Sequence, residues 1–169
     1  IPAYAGYDAT VHPGMSGLFS TAAFRLGHSI IAAEFLLTDE NGDPLAGSPL
    51  PLRVAFFNPE PILDNGIEPV LRGLASQSAQ ELDTKVIDDV RNFLFGQPGA
   101  DGMDLVSMNL QRGRDLGLPA YNQARIDMGL EPVEQFADLS QDQAVQDALE
   151  SVYGDVQNVD VWAGGLAEE

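Results

Sequence analysis

The chain contains no cysteine. Disulfides are therefore excluded, and the redox compartment leaves no mark on the sequence. Positive charge is nearly as scarce: 8 Lys and Arg stand against 26 Asp and Glu, a formal net charge of −18 over 169 residues. Nucleic acid is a poor partner for such a chain, because phosphate binding draws on basic patches. The acidity suits a secreted bacterial protein or a saline habitat, and charge alone does not separate the two. No apolar run approaches the roughly 20 residues that span a bilayer. Tandem repeats, low-complexity tracts and long alternating strand patterns are missing, which leaves a mainly α fold class as the expectation. Only two histidines occur, His12 and His28.

What the chain does have is enough apolar material, 44% of its residues, to bury a single core, so one domain or part of one is expected. Within it, Ala22-Ala23-Phe24-Arg25-Leu26-Gly27-His28 reads as helical. Helical spacing puts Thr21, Phe24, Arg25, His28, Ile31, Ala32 and Phe35 on one stripe. A histidine and an arginine among apolar residues both need partners, since unpaired polar groups there are costly. A haem would satisfy both, its iron taking the imidazole and its propionates the guanidinium. A structural core histidine beside an Arg–carboxylate pair satisfies the same pattern, and this segment taken alone favours that plainer reading.

A second segment follows, Met108-Asn109-Leu110-Gln111-Arg112-Gly113-Arg114-Asp115-Leu116-Gly117-Leu118-Pro119-Ala120-Tyr121-Asn122. Two more lie between, Leu52-Arg53-Val54-Ala55-Phe56-Phe57-Asn58-Pro59 and Gly66-Ile67-Glu68-Pro69-Val70-Leu71-Arg72-Gly73-Leu74. Near the end stands Asn158-Val159-Asp160-Val161-Trp162-Ala163-Gly164-Gly165-Leu166-Ala167-Glu168. In order and approximate spacing the set resembles the animal-type haem peroxidases, over nearly the whole of residues 1–169.

The resemblance implies a site. His28 matches the proximal axial ligand of the haem iron. Asn109 matches the asparagine that accepts a hydrogen bond from that ligand's other ring nitrogen, a contact that fixes the tautomer. Arg25 and Arg112 match arginines on the propionate side. Read without the resemblance, Asn109 is a helix asparagine bonding locally, and Arg112 and Arg114 are surface arginines. The implied cofactor is haem b or a modified haem, with calcium held in the intact protein by a site outside this chain. The implied partners are hydrogen peroxide and a small-molecule or halide donor, with no nucleic acid and no membrane span. The implied location is secreted or extracellular, and the missing cysteines favour a bacterial-type member. A weakly catalytic, peroxinectin-like binding or adhesion protein is the alternative.

One residue departs from the pattern: Leu116 stands where the family has histidine, which implies altered packing or an altered surface near Arg114. His12, in Val11-His12-Pro13-Gly14, matches no functional position and reads as a solvated loop residue. The family's distal histidine and arginine find no counterpart here. The expectation is therefore a carboxy-terminal, proximal-side part of the peroxidase domain, with no catalytic acid–base residue of its own.

The elements expected are an irregular lead-in over 1–15, a proximal helix from Ser16 to Leu37, and helices over Gly66–Ala75, Asp83–Phe95, Asp104–Arg114 and Ala120–Met128. A last helix should open at a Ser140/Gln143 capping box and run to Tyr153. The loop carrying Asp39, Asn41 and Asp43 is expected to be a turn-rich surface connection rather than a calcium loop.

Overall fold

The computed structural model describes residues 3–94, 96 and 102–168. Residues 3–17 are exposed, and no regular element forms before Gly17. Helix α1 (Gly17–Thr21) is capped by Ser16, whose hydroxyl accepts from the Phe19 amide at 3.1 Å. The long proximal helix does not continue. Ala22 breaks it, and Ala23–His28 winds as a 3-10 helix ending at Ser29. Glycine at 27, a serine bonding its own turn (Ser29 Oγ to Leu26 O, 3.0 Å) and β-branched Ile30 and Ile31 all weaken an α continuation. The expected seven-residue stripe is thereby cut, and Phe24 turns outward at 72% exposure. Residues three apart eclipse in a 3-10 helix, so Arg25 and His28 still stack.

Beyond it, β1 (Glu34–Phe35) pairs antiparallel with β2 (Leu50–Pro51). The connection between them is tied down by local bonds. The Asp39 carboxylate accepts from the Asn41 and Asp43 amides at 2.8 and 2.9 Å, and the Ser48 hydroxyl from the Leu37 amide at 3.0 Å. Those amides hold the Asp39 carboxyl below its usual range. These local bonds make the segment a turn-rich surface connection.

Helices α2 (Leu52–Ala55), α3 (Glu60–Asn65) and α4 (Glu68–Ser76) follow. Proline near the start of α3 and α4 suits the first turn, where the missing N–H has no partner to lose. Helix α4 lies so close to the preceding chain that a Cβ on Gly73 would sit 1.8 Å from the Leu36 carbonyl oxygen. The Gln77 side chain then bonds Leu36 N and Glu34 O, at 3.3 and 2.8 Å.

The helix expected over 83–95 shrinks to α5 (Asp88–Arg91); Phe95 lies outside the described residues. Tertiary bonding overrides the apolar period here. Asp89, 3% exposed, accepts from the Arg53 amide at 3.1 Å and from its guanidinium at 2.9 and 3.0 Å. Leu94 leaves the helical path to form a bridge with Met103.

Helices α6 (Leu105–Asp115) and α7 (Tyr121–Asp127) fall where the sequence places them. Asp104 caps α6 by accepting from the Val106 and Ser107 amides. Helix α8 (Gln143–Tyr153) opens on Asp142 rather than Ser140. The reciprocal capping box forms instead at Gln135 and Asp138, around the 3-10 turn Phe136–Asp138. A further 3-10 turn, Val156–Asn158, leads to α9 (Val161–Ala167), a helix absent from the elements expected from the sequence. Gly164 is what seats α9, since a Cβ there would meet the Tyr121 ring at 2.3 Å.

Two apolar clusters result. Tyr121, Leu139, Leu149 and Val159 centre one; Ala22, Trp162 and Leu166 centre the other, joining α1, α6 and α9. No helix among the described residues is long and apolar enough to cross a membrane.

Candidate functional site

The 3-10 segment and α6 meet at Asn109. This asparagine is 1% exposed, which obliges its carboxamide to find partners at both ends. Its Oδ1 accepts from Arg25 Nη1 at 2.8 Å, and its Nδ2 lies 2.8 Å from His28 Nδ1. His28, Asn109 and Arg25 are thus brought together as expected from the sequence. The polarity is reversed, however. An amide nitrogen only donates, so Asn109 donates to His28 here instead of accepting from it. The cause is Arg25, which has no acceptor atom and therefore claims the carbonyl end.

His28 borders an apolar cavity of about 420 Å³ whose walls include Ile31, Phe35, Leu74, Val90 and Leu105. Leu52 on α2 and Val90 on α5 contribute facing walls, and the Arg53–Asp89 pair ties those two helices together. Arg53 also stacks over Phe93 at 4.3 Å. Burial lowers the His28 pKa, and the neighbouring Arg25 charge lowers it further. The ring is held neutral near neutral pH, the form a metal requires.

Arg25 Nε is buried without a partner. Arg112, one turn beyond Asn109 on α6, is exposed, and no carboxylate among the described residues pairs with it. The unpartnered Arg25 Nε and a neutral imidazole at an apolar cavity fit a flat, apolar metal complex carrying carboxylates, as haem does; Arg112 lines no part of that cavity. Iron would fall to His28, and the carboxylates to Arg25 and Arg112.

Other candidates lie elsewhere. His12 is exposed, with Nδ1 accepting from the Gly14 amide at 3.1 Å. Arg114 clamps Asp160 at 3.1 and 2.6 Å, joining α6 to the start of α9. The Tyr153 hydroxyl donates to the same carboxylate at 3.0 Å. Leu116 is 58% exposed at the end of α6, an altered surface that leaves the Arg114 clamp intact. Arg125 contacts Glu131 O, Tyr121 and Glu168 beside a separate cavity of about 290 Å³.

One contributor went unassigned in the sequence reading. Trp162 donates through Nε1 to the Arg25 carbonyl at 3.3 Å, holding the backbone just before His28. A lone tryptophan in a glycine-flanked motif was the available signal, but only the tertiary contact gives it a role.

The family described as animal haem peroxidase matches residues 1–169. Peroxinectin A of Dictyostelium discoideum is 45% identical over 99% of this chain, which covers 31% of that protein. Human thyroid peroxidase is 41% identical over 98% of the chain and covered for 18% of its length. Lactoperoxidase of Mesocricetus auratus is 38% identical over 99%, covered for 25%. The solved peroxidase A of Dictyostelium discoideum superposes with a TM-score of 0.91 at 44% identity, over 99% of this chain and 32% of that one. A rice fatty acid α-dioxygenase shares the fold at a TM-score of 0.75 and 24% identity, over 92% of this chain and 27% of its own. The chain therefore spans about a third, or less, of these relatives' lengths.

Proposed function

From the premise that this chain belongs to the animal haem peroxidase family, we propose that it supplies the proximal half of the haem pocket in a peroxidase that reduces hydrogen peroxide and oxidises an organic or halide donor. The observation that carries the reading is the His28–Asn109–Arg25 cluster beside the apolar cavity, within a chain matched over its full length.

In this reading His28 is the axial ligand. Its neutral ring is favoured by burial and by the Arg25 charge. Asn109 orients the imidazole, because a ring bonded at Nδ1 has a fixed plane and a defined tautomer. Arg25 and Arg112 hold the carboxylates of the cofactor. When bound, haem supplies the iron at which peroxide is reduced, and the ligand's basicity tunes that iron. The apolar walls around Phe35, Leu74 and Val90 keep water from the ligand side and strengthen the polar contacts within it. None of these groups is the proton-transferring catalyst, which must stand within hydrogen-bond reach of the peroxide on the opposite haem face. Calcium, haem type and a secreted location belong to the same reading through the family alone.

The test is haem retention in the full-length protein. His28→Ala is expected to abolish axial ligation and greatly weaken haem binding, while His12→Ala leaves both unchanged. Equal haem affinity and an unaltered absorption spectrum in His28→Ala would reject the assignment. Loss of haem ligation together with peroxide-dependent donor oxidation in the wild type supports the enzyme over the adhesion alternative.

A further inference from the structure

We propose that Tyr153 is the surface end of an electron relay beginning at Trp162, and that it oxidises phenols carried on macromolecules too bulky to reach the haem. The inference rests on the reading of the chain as part of a haem peroxidase. Trp162 is 7% exposed and donates through Nε1 to the Arg25 carbonyl at 3.3 Å, on the segment that carries His28. Further along α9, Gly164 admits the ring of Tyr121, which is 4% exposed. Tyr121 belongs to the apolar cluster against which Tyr153 packs. Oxidisable rings thus lead from the ligand segment to half-buried Tyr153, beside the exposed Val152. Electron transfer decays steeply with distance, so a series of packed rings carries a charge farther than one long jump.

The bonding at each hydroxyl decides where the charge comes to rest. A phenol that loses an electron becomes strongly acidic and must shed its proton. The Tyr153 hydroxyl already donates to Asp160 Oδ2 at 3.0 Å, a carboxylate that Arg114 holds in place at 3.1 and 2.6 Å. Tyr121 has the opposite surroundings. Its oxygen accepts from Arg125 Nη1 at 3.1 Å, and that guanidinium lies 5.7 Å from the ring centre. A cation so placed repels positive charge on the ring, so Tyr121 passes the charge on and Tyr153 keeps it. Tyr4 and Tyr7, at 88% and 89% exposure, lie in the lead-in and in neither apolar cluster.

On oxidation the Tyr153 O–H bond breaks, its electron leaves toward Trp162 and its proton moves to Asp160. An electron from the donor phenol then restores Tyr153, which retakes the proton from Asp160, while the donor's own proton enters solvent. Two such cycles, with two protons from solvent, reduce one hydrogen peroxide to two waters and leave two phenoxyl radicals.

Full-length, haem-loaded protein is mixed with hydrogen peroxide, frozen, and read by electron paramagnetic resonance. A tyrosyl signal is expected that narrows with ring-deuterated tyrosine, forms more slowly in D2O, is lost in Tyr153→Phe and persists in Tyr121→Phe. A signal that survives Tyr153→Phe overturns the proposal. Should that variant fail to fold, a nitroso spin trap and peptide mapping of the wild type decide: an adduct on Tyr153 supports the relay, and adducts only elsewhere overturn it. Tyr153→Phe should also slow oxidation of a dextran-linked phenol more than oxidation of iodide; equal slowing contradicts the surface role. Peroxide consumed without any tyrosyl radical defeats the relay and leaves the peroxidase reading intact. No peroxide consumption by the haem-loaded protein defeats that reading, and the relay with it.

Discussion

Replacing Asn109 with leucine removes the only bonded partner that the Arg25 side chain has among the described residues. A hydrogen bond to a charged group contributes about 1.5–3 kcal/mol, and the contact to the His28 ring about 0.5–1.5 kcal/mol. The added apolar burial of leucine offsets about 1 kcal/mol of this loss, which leaves a net cost of about 1–3.5 kcal/mol. Most of that penalty is the guanidinium left without an acceptor. In an Arg25→Met background no guanidinium remains to be orphaned, and Asn109→Leu should cost about 1 kcal/mol or less. The difference, about 1.5–3 kcal/mol, is the coupling expected of two residues in one bonded network. Urea unfolding of the haem-free full-length protein, with all four members of the cycle compared at equal m-values, measures it. If Asn109→Leu costs the same in both backgrounds to within about 0.5 kcal/mol, Arg25 and Asn109 are independent and the network argument is refuted.

The adjacent glycines of α9 should respond with opposite sign: Gly164→Ala drives a Cβ against the Tyr121 ring at 2.3 Å, whereas at Gly165 nothing lies within 4 Å. We expect Gly164→Ala to cost about 1–3 kcal/mol through overpacking and Gly165→Ala to gain about 0.5–1 kcal/mol through helix propensity, read as opposite shifts of the melting temperature. Tyr153 gives the pH prediction: burial first, and then the Asp160 charge, push its phenol up from 10.0 to about 12. The folded state thus favours the neutral phenol, so its stabilising effect is full below pH 10 and is lost as pH rises toward 12. Phenolate absorbance should show one late-titrating tyrosine that shifts down in Asp160→Asn, and an unshifted titration would remove Asp160 as a cause.

Several elements were legible because their signals are local. Asp104 before an apolar period marks the start of α6, and Gly117 with Pro119 marks the break before α7. The site was legible through a different channel: His28, Asn109, Arg25 and Arg112 follow from motif resemblance, and spacing alone favoured a core histidine. The misses share one cause. The apolar period from Val86 to Leu94 is helical on paper, yet Asp89 is committed to Arg53, distant in sequence, and Leu94 to Met103. Ser140 and Gln143 offer a capping box, but Asp142 stands closer to the helix start and takes the cap.

The sequence by itself determined the helical class, the family, the acidic surface and the identity of the residues around the candidate ligand. These depend on residue types and their order, which every conformation of the chain preserves. Tertiary structure decided where the proximal segment stops being helical and which helix Gly164 admits against Tyr121. It also decided that Trp162 holds the Arg25 carbonyl and that Asn109 faces His28 with its nitrogen rather than its oxygen. Each of these turns on atoms far apart along the chain competing for one donor, acceptor or volume, and that competition exists only once folding has brought them together.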